Sequence, residues 1–367
     1  DDCYETVDGS KVEWVEEESY FFKLSEWQSQ LLEFYEKNPN FVKPRSRMNE
    51  VKSFVKSGLK DLSVSRTSFE WGIKIPDSPN HIMYVWIDAL TNYLTSIGYP
   101  DIGNDRMKFW EKCIHIIGKD ILKFHAVYWP AMLMSINFQL PKSIFAHGWW
   151  TNEGKKISKS LGNSIDPNKI IDDYGLDQFK YFLLREVPLG NDGDFSEKAL
   201  INRINSDLAN NLGNLIQRVT KFLYKNFNNT VTHVIKEEKN IPKLQKDGYE
   251  LIDIVREKME SFEISKSLED IFLYIDELNK FVDDSQPWKS FKIDPKKAGR
   301  DLSLMIECFR IVGIILQAFI PDSAKRILDL LKISESERNF INLSLKYSVP
   351  KNHQLCEPNQ LFPRYEK

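Results

Sequence analysis

The chain has 367 residues, a formal net charge of -3, and 42% hydrophobic and 28% charged residues, which is room for two or three domains with cores of their own. That balance excludes a general nucleic-acid binder wrapped in a positive field, so any nucleic-acid contact must be local. Four cysteines, Cys3, Cys113, Cys308 and Cys356, lie far apart with no C-x-x-C; this supports neither a disulfide framework nor a thiolate zinc site and fits a reducing compartment.

The first residues, Asp1-Asp2-Cys3, are not a natural initiation site, which predicts that the true N-terminus lies upstream. Residues 1–60 then read as a connecting insert returning to a larger domain. An extended stretch, Lys11 to Val15, precedes a helical pattern over Trp27, Leu31, Leu32, Phe34 and Tyr35 that Asn38-Pro39 stops; residues 46–57 supply a second short helix closed by Gly58. From Val64 the pattern turns α/β, and residues 61–150 form the next domain. The apolar run Ile82-Met83-Tyr84-Val85-Trp86-Ile87-Asp88 predicts a buried parallel strand with an acid at its carboxyl end, followed by a helix over residues 89–97. The run Cys113 to Asp120 predicts a second strand, residues 121–134 a helix carrying His125 and Trp129, and residues 143–147 a third strand. Strand, helix, strand, helix, strand is half of a doubly wound sheet. No G-x-G-x-x-G and no G-x-x-x-x-G-K-[ST] occurs. His115-Ile116-Ile117-Gly118 fails as an ATP-binding histidine motif, because Lys119 stands where its closing histidine belongs.

Residues 151–195 are organised by Lys155-Lys156-Ile157-Ser158-Lys159-Ser160-Leu161-Gly162-Asn163. Two lysines three residues apart, with hydroxyl residues among them and a glycine after, make a loop able to close over a polyphosphate. An ammonium on a flexible stem can follow a phosphate whose geometry changes during reaction, where arginine would demand a fixed fork. The preceding Trp149 to Gly154 predicts a strand and a tight Asn-Glu-Gly turn, hence a hairpin leading into the loop. By itself the run is as well read as a solvated surface loop.

Residues 196–367 lose all strand signal. Leu200, Ile204, Leu208, Leu212, Leu215, Val219 and Leu223 recur every three or four positions, as in one long helix. Further helices are expected at about 243–261, 264–283, 301–320 and 323–332, giving a bundle. The most apolar stretch, residues 302–320, contains Glu307, Arg310 and Gln317, which predicts a buried core helix in place of a membrane span. The tail from Pro350 predicts a loop laid back on the body.

With these elements in order the chain resembles the methionyl-tRNA synthetases, class I aminoacyl-tRNA synthetases. Lys156-Ile157-Ser158-Lys159-Ser160 is similar to the family's KMSKS signature, with Ile157 where methionine is usual. Tyr84 to Leu90 with Tyr93, and Gly118-Lys119-Asp120-Ile121 with His125 and Trp129, resemble its pocket-lining segments. Asn214 to Arg218 and Gln286-Pro287-Trp288 resemble its two anticodon-reading segments. The fold implied is α/β plus all-α: the second half of a Rossmann-type catalytic domain followed by a helical anticodon-binding bundle. The family's first Rossmann half, with its HIGH sequence, and most of the inserted connective domain with any zinc knuckle would precede residue 1.

The resemblance implies ATP-dependent activation of L-methionine and its transfer to tRNA(Met), with Mg2+ entering with ATP, no metal held by this segment, and a cytoplasmic or mitochondrial, non-membrane monomer that partners its N-terminal half. It gives Lys156 and Lys159 the leaving pyrophosphate and Ser158 the shaping of the loop. Gly118, Asp120 and Lys159 take ATP, the aspartate accepting from ribose hydroxyls or else capping the helix at Ile121. A thioether offers shape, sulfur–aromatic contact and one weak acceptor. Trp86, Tyr93 and Trp129 accordingly supply walls, Ala89, Leu90 and Ile121 apolar fit, and His125 a donor toward sulfur. Singly, each of these aromatics is more often plain core. Asn214, Arg218 and Trp288 take unstacked anticodon bases. Two other readings stand beside this one: another class I synthetase of the cysteine, leucine, valine or isoleucine group, and a non-catalytic tRNA-binding paralogue.

Overall fold

The parallel sheet expected from the apolar runs is present, but its third strand comes from the supposed insert. A computed structural model describes residues 4–5, 11–12, 17–157, 163–234 and 238–366 and divides into two units, Asp1–Gly148 and Trp149–Lys367. In the first unit the strands β1 (Tyr4–Glu5) and β2 (Lys11–Val12) pair antiparallel. After β3 (Phe21–Phe22) come helix α1 (Gln28–Lys37), strand β4 (Val42–Lys43) and helix α2 (Arg45–Lys56). Strand β5 (Leu62–Ser63) returns antiparallel to β3. Strands β6 (Ser65–Arg66), β7 (Lys74–Ile75) and β8 (Ser78–Met83) form an antiparallel sheet of order β6-β8-β7. Helix α3 (Val85–Ser96) follows, then β9 (Ile114–Gly118), α4 (Trp129–Ser135) and β10 (Ser143–His147). β9 and β10 run parallel, and β4 completes the sheet as β4-β10-β9.

The insert helices belong to this sheet's core. Leu31 and Tyr35 of α1 and Val51 and Val55 of α2 share one buried cluster with Leu122, Ala126, Val127, Ile144 and Ala146. Tyr35 Oη donates to the Ala126 carbonyl at 2.5 Å, so α1 holds the backbone of the segment that carries His125.

The expected strand over residues 82–88 is a correction. It ends at Met83, pairs antiparallel, and gives way after Tyr84 to α3, so Trp86 and Asp88 sit in the first helical turn. A short apolar run does not distinguish a buried strand from a buried helix. Here the spacing of Trp86, Leu90, Tyr93 and Leu94, a helix face, is what the chain obeys. An acid in a first helical turn also meets the positive end of the helix dipole.

In the second unit β11 (Trp150–Asn152) and β12 (Lys155–Lys156) form the expected hairpin. Glu153 and Gly154, at φ +48° and +73°, make its two-residue turn. After helices α5 (Pro167–Tyr174) and α6 (Leu176–Glu186), strand β13 (Gly193–Phe195) pairs parallel with β11. Ser196 Oγ caps α7 (Glu197–Arg203) by accepting from Ala199 N at 3.1 Å. The long helix expected through Leu223 is interrupted: π-helical turns over Ile204–Gly213 separate α7 from α8 (Asn214–Asn226). Then come α9 (Lys243–Glu260), α10 (Ile264–Ser285), the short α11 (Pro287–Ser290), α12 (Pro295–Leu316) and α13 (Pro321–Leu330). Helix α12 is buried throughout Met305–Leu316 and is the axis of the bundle core. The tail returns as expected, with Leu355, Leu361 and Phe362 in that core and Val231 N donating to the His353 carbonyl. Among the described residues no helix is long and apolar enough to cross a membrane.

Candidate functional site

In the first unit the aromatic side chains singled out above meet. Trp86 and Tyr93 come from one face of α3, and His125 and Trp129 from the segment after β9. The stretch Phe124–Tyr128 is π-helical, closed by Trp129 N on the Phe124 carbonyl; such wide turns rotate side chains off the ordinary helical faces and recur at functional sites. Tyr93 and His125 lie 5.7 Å apart by ring centroids, Trp86 and His125 6.1 Å, and Tyr93 and Trp129 6.4 Å.

Hydrogen bonds fix the state of His125. Its Nδ1 lies 3.0 Å from the Ile121 carbonyl, which can only accept, so Nδ1 carries the proton. Its Nε2 lies 2.8 Å from Tyr93 Oη and must then accept from that hydroxyl. Burial pushes the imidazole pKa down, against the pull of the Ile121 carbonyl, which keeps the ring neutral. With both nitrogens engaged, His125 has no N–H left to offer a thioether sulfur. The expected donor role is therefore corrected: His125 orients Tyr93, whose own pKa burial raises.

Three neighbours escaped the sequence reading. Phe124 stacks on Trp86 at 3.8 Å and 13°. Trp110 sits edge-on to Trp129 at 6.4 Å. His115 lies 4.2 Å from Tyr93 and 5.9 Å from His125 by centroids. Burial, reinforced by His125, pushes the pKa of His115 down to about 4, and its Nε2, like Trp129 Nε1, is buried without a hydrogen-bond partner among the described residues. The signal for His115 was its alternation with Ile114 and Ile116 along β9, which puts it on the opposite face of the strand.

The remaining expected pocket residues divide. Leu90 is buried beside Trp110 and Trp129, whereas Ala89 is exposed. Ile121 packs its side chain into the α1–α2 cluster and gives the site only its carbonyl. Gly118 and Asp120 stand at the carboxyl end of β9, Gly118 in register with His147 of β10. A Cβ on Gly118 would collide with Asp120 Oδ1, so only glycine lets that carboxylate fold back over the strand end.

In the second unit Arg218 of α8 reaches α10 and α11. It donates to Asp283 Oδ1 at 3.2 Å and Asn279 Oδ1 at 3.1 Å, and lies 5.9 Å from the Trp288 ring centre. Asn214, one turn earlier, is exposed. The structure thus joins the two segments that sequence held 70 residues apart by number, Arg218 and Trp288. Of the lysine loop, Lys155 and Lys156 form β12, the turn before them tied to β13 by Gly154 N on Asp194 Oδ1 at 2.8 Å. Ser158 and Lys159 lie outside the described residues.

Residues 2–220 match the family of class I (M) tRNA synthetases, and residues 233–367 match the anticodon binding domain of methionyl tRNA ligase. The chain belongs to the methionyl-tRNA synthetases. It is 51% identical over 362 residues to the methionine–tRNA ligase of Rickettsia felis, covering 98% of this chain and 70% of that one. The enzyme of Brucella suis is 47% identical over 97% of this chain and 69% of its own length. The crystal structure of Mycobacterium tuberculosis methionyl-tRNA synthetase bound by methionyl-adenylate superposes with a TM-score of 0.92 at 41% identity, covering 99% of this chain and 72% of that one. Membership in this family sets aside the cysteine, leucine, valine and isoleucine synthetases.

Proposed function

We propose that the protein is a methionine–tRNA ligase in which the aromatic cluster of the first unit takes the methionine side chain and the α8–α11 face of the second takes the tRNA anticodon. A methionine carboxylate oxygen attacks the α-phosphorus of ATP, which enters with Mg2+. The bond to the bridging oxygen breaks and its electrons leave with pyrophosphate. A hydroxyl of the terminal tRNA ribose then attacks the methionyl carbonyl and AMP departs. The carboxylate is ionised at neutral pH, so the first step needs no general base. Its acceleration rests on positioning and on cations set against charge migrating to the leaving group.

In this reading Trp86, Tyr93, His125 and Trp129 form the side-chain pocket with Leu90, Ala89 and the Ile121 segment around it. The carboxyl end of β9, with Gly118 and Asp120, receives the nucleotide. Lys159, seconded by Lys156, neutralises pyrophosphate, and Ser158 shapes the loop between them. Arg218, Trp288 and Asn214 hold anticodon bases. The observation that carries the reading is the convergence of Trp86, Tyr93, His125 and Trp129 in a chain of this family. ATP–pyrophosphate exchange with each amino acid tests it. Exchange is expected with methionine alone, and Lys159→Ala is expected to lower its kcat by roughly a hundred- to a thousand-fold. Exchange driven by leucine or valine would overturn the methionine assignment, and an unchanged kcat would remove Lys159 from the mechanism.

A further inference from the structure

A second cavity, of about 360 Å³, lies in the first unit between α3, α4 and the strands β3, β7 and β8. Its walls are apolar: Ile75 and Met83 from the strands, Ile87 and Leu94 from α3, Met132 and Leu133 from α4. Of Trp86, Tyr93, His125 and Trp129, only Trp129 also lines this cavity. We propose that Trp129 is the partition between the two spaces and so sets the length of side chain the enzyme activates, shutting off room that would admit unbranched thioethers longer than methionine. The proposal rests on the assignment of the aromatic cluster to the methionine side chain and extends it to substrate length.

Helix α3 explains why the two spaces share a wall. Trp86, Leu90 and Tyr93 follow one stripe of the helix toward the aromatic cluster. Ile87, Thr91 and Leu94, each one residue on and so about 100° further round, line the cavity. Burial then orders the cluster from mouth to floor. Trp86 and Tyr93 are half-buried, whereas Trp129 and Trp110 are each 3% exposed. Trp129 stands 6.4 Å from Tyr93 and meets Trp110 edge-on, so a side chain entering past Trp86 and Tyr93 ends against the two buried indoles.

The two indoles are held differently. Trp110 Nε1 donates to the Gln139 carbonyl at 2.7 Å, which pins that ring. Trp129 Nε1 has no partner among the described residues, so packing alone holds Trp129, with Leu94 and Leu133 beside it in the same buried cluster and along the cavity. Replacing Trp129 by a smaller apolar residue therefore strands no polar group. Among the described residues the cavity wall carries no charge, and its polar groups are the hydroxyls of Thr91, Tyr99 and Ser135. Thr91 Oγ1 is already spent on the Ile87 carbonyl at 2.6 Å. An alkyl chain that passed the partition would leave water for an apolar surface and leave no acceptor unpaired. While the indole stands, each extra methylene has to displace it, and one methylene in an apolar pocket is worth roughly 10- to 200-fold in kcat/KM.

The test measures pyrophosphate exchange with methionine and with its S-ethyl and S-propyl homologues. It uses the wild-type enzyme, Trp129→Phe, Trp129→Leu, and Trp129→Leu combined with Met132→Trp, with thermal midpoints to check that each is folded. In the wild type kcat/KM is expected to fall roughly 10- to 200-fold with each added methylene. Trp129→Leu should raise the S-propyl-to-methionine ratio of kcat/KM by roughly 100-fold, and Trp129→Phe, which keeps a ring, by about ten-fold. Met132→Trp refills the cavity from α4 and should return the ratio toward its wild-type value. A ratio unmoved by either Trp129 variant while methionine is activated less well would overturn the partition. So would a raised ratio that Met132→Trp leaves in place, because the added room would then lie elsewhere. Wild-type constants for all three amino acids in both Trp129 variants would remove Trp129 from the pocket altogether, and the assignment of the cluster to methionine would fall with the partition.

Discussion

Glu307 and Arg310 lie as deep in the second unit, at 4% and 1% exposure, as His115 and His125 lie in the first, at 3% and 2%. Their surroundings treat them differently. Arg310 donates to both Glu307 oxygens, Nε at 3.0 Å and Nη2 at 2.7 Å, and its Nη1 donates to the Asn342 carbonyl at 3.1 Å. Glu307 also accepts from Tyr249 Oη at 2.8 Å and from Val349 N at 2.9 Å. The lone pairs and protons of both groups are spent on these bonds, and the pair pins the tail to α12. In the aromatic cluster both imidazoles are driven toward neutrality by burial, and His115 Nε2 and Trp129 Nε1 go unpartnered. The bundle spends its buried polarity on holding itself together, whereas the cluster leaves some unspent.

The comparison breaks most visibly at Arg310. Arg310→Met strands a buried carboxylate and is expected to cost about 3–5 kcal/mol of stability in urea denaturation. Adding Glu307→Leu should restore only part of that loss, because Tyr249 Oη and Val349 N are then left without their acceptor. Full restoration would mean that the pair does not hold the tail.

His115 sharpens the other side. Its folded pKa, about 4, lies below that of a free imidazole, so on acidification the unfolded chain takes the proton first. The stabilisation is complete above about pH 6.5 and is lost as pH falls toward 4, by roughly 3 kcal/mol for a shift of this size. His115→Gln should flatten that acid limb in a denaturation series from pH 7 to pH 4.5; an unchanged limb would assign it to other groups. A smaller effect is expected at Tyr35→Phe, which removes the bond to the Ala126 carbonyl. A loss of about 1–2 kcal/mol, with a raised KM for methionine, would show α1 supporting the segment that carries His125. A purely structural tyrosine would leave KM alone.

What could be read from sequence follows the range of the interactions involved. The bundle helices were legible because an apolar repeat over ten or more residues survives local noise. The hairpin at Glu153-Gly154 was legible because few sequences tolerate two successive positive φ angles. Residues 82–88 misled because six apolar positions ahead of an acid suit a strand and a helix start alike, and the tertiary partner, Phe124 stacked on Trp86, decides between them. The membership of β4 in the sheet was hidden because a two-residue strand leaves no periodicity to read. His125 does lie among the aromatics, yet its hydrogen bonds leave no N–H for the donation expected of it. Its tautomer is set by the Ile121 carbonyl and the Tyr93 hydroxyl, and their meeting is a product of the π-helical turns that a one-dimensional pattern does not reveal.

The central claim is that the Tyr93–His125 pair and its aromatic neighbours grip methionine. Tyr93→Phe removes one hydroxyl and keeps the ring, so the direct measurement is the KM for methionine and for ATP in pyrophosphate exchange by that variant. The account predicts a rise of roughly ten-fold in the methionine KM with the ATP KM unmoved, the equivalent of about 1.4 kcal/mol. An unchanged methionine KM, or an equal rise in both, would contradict it.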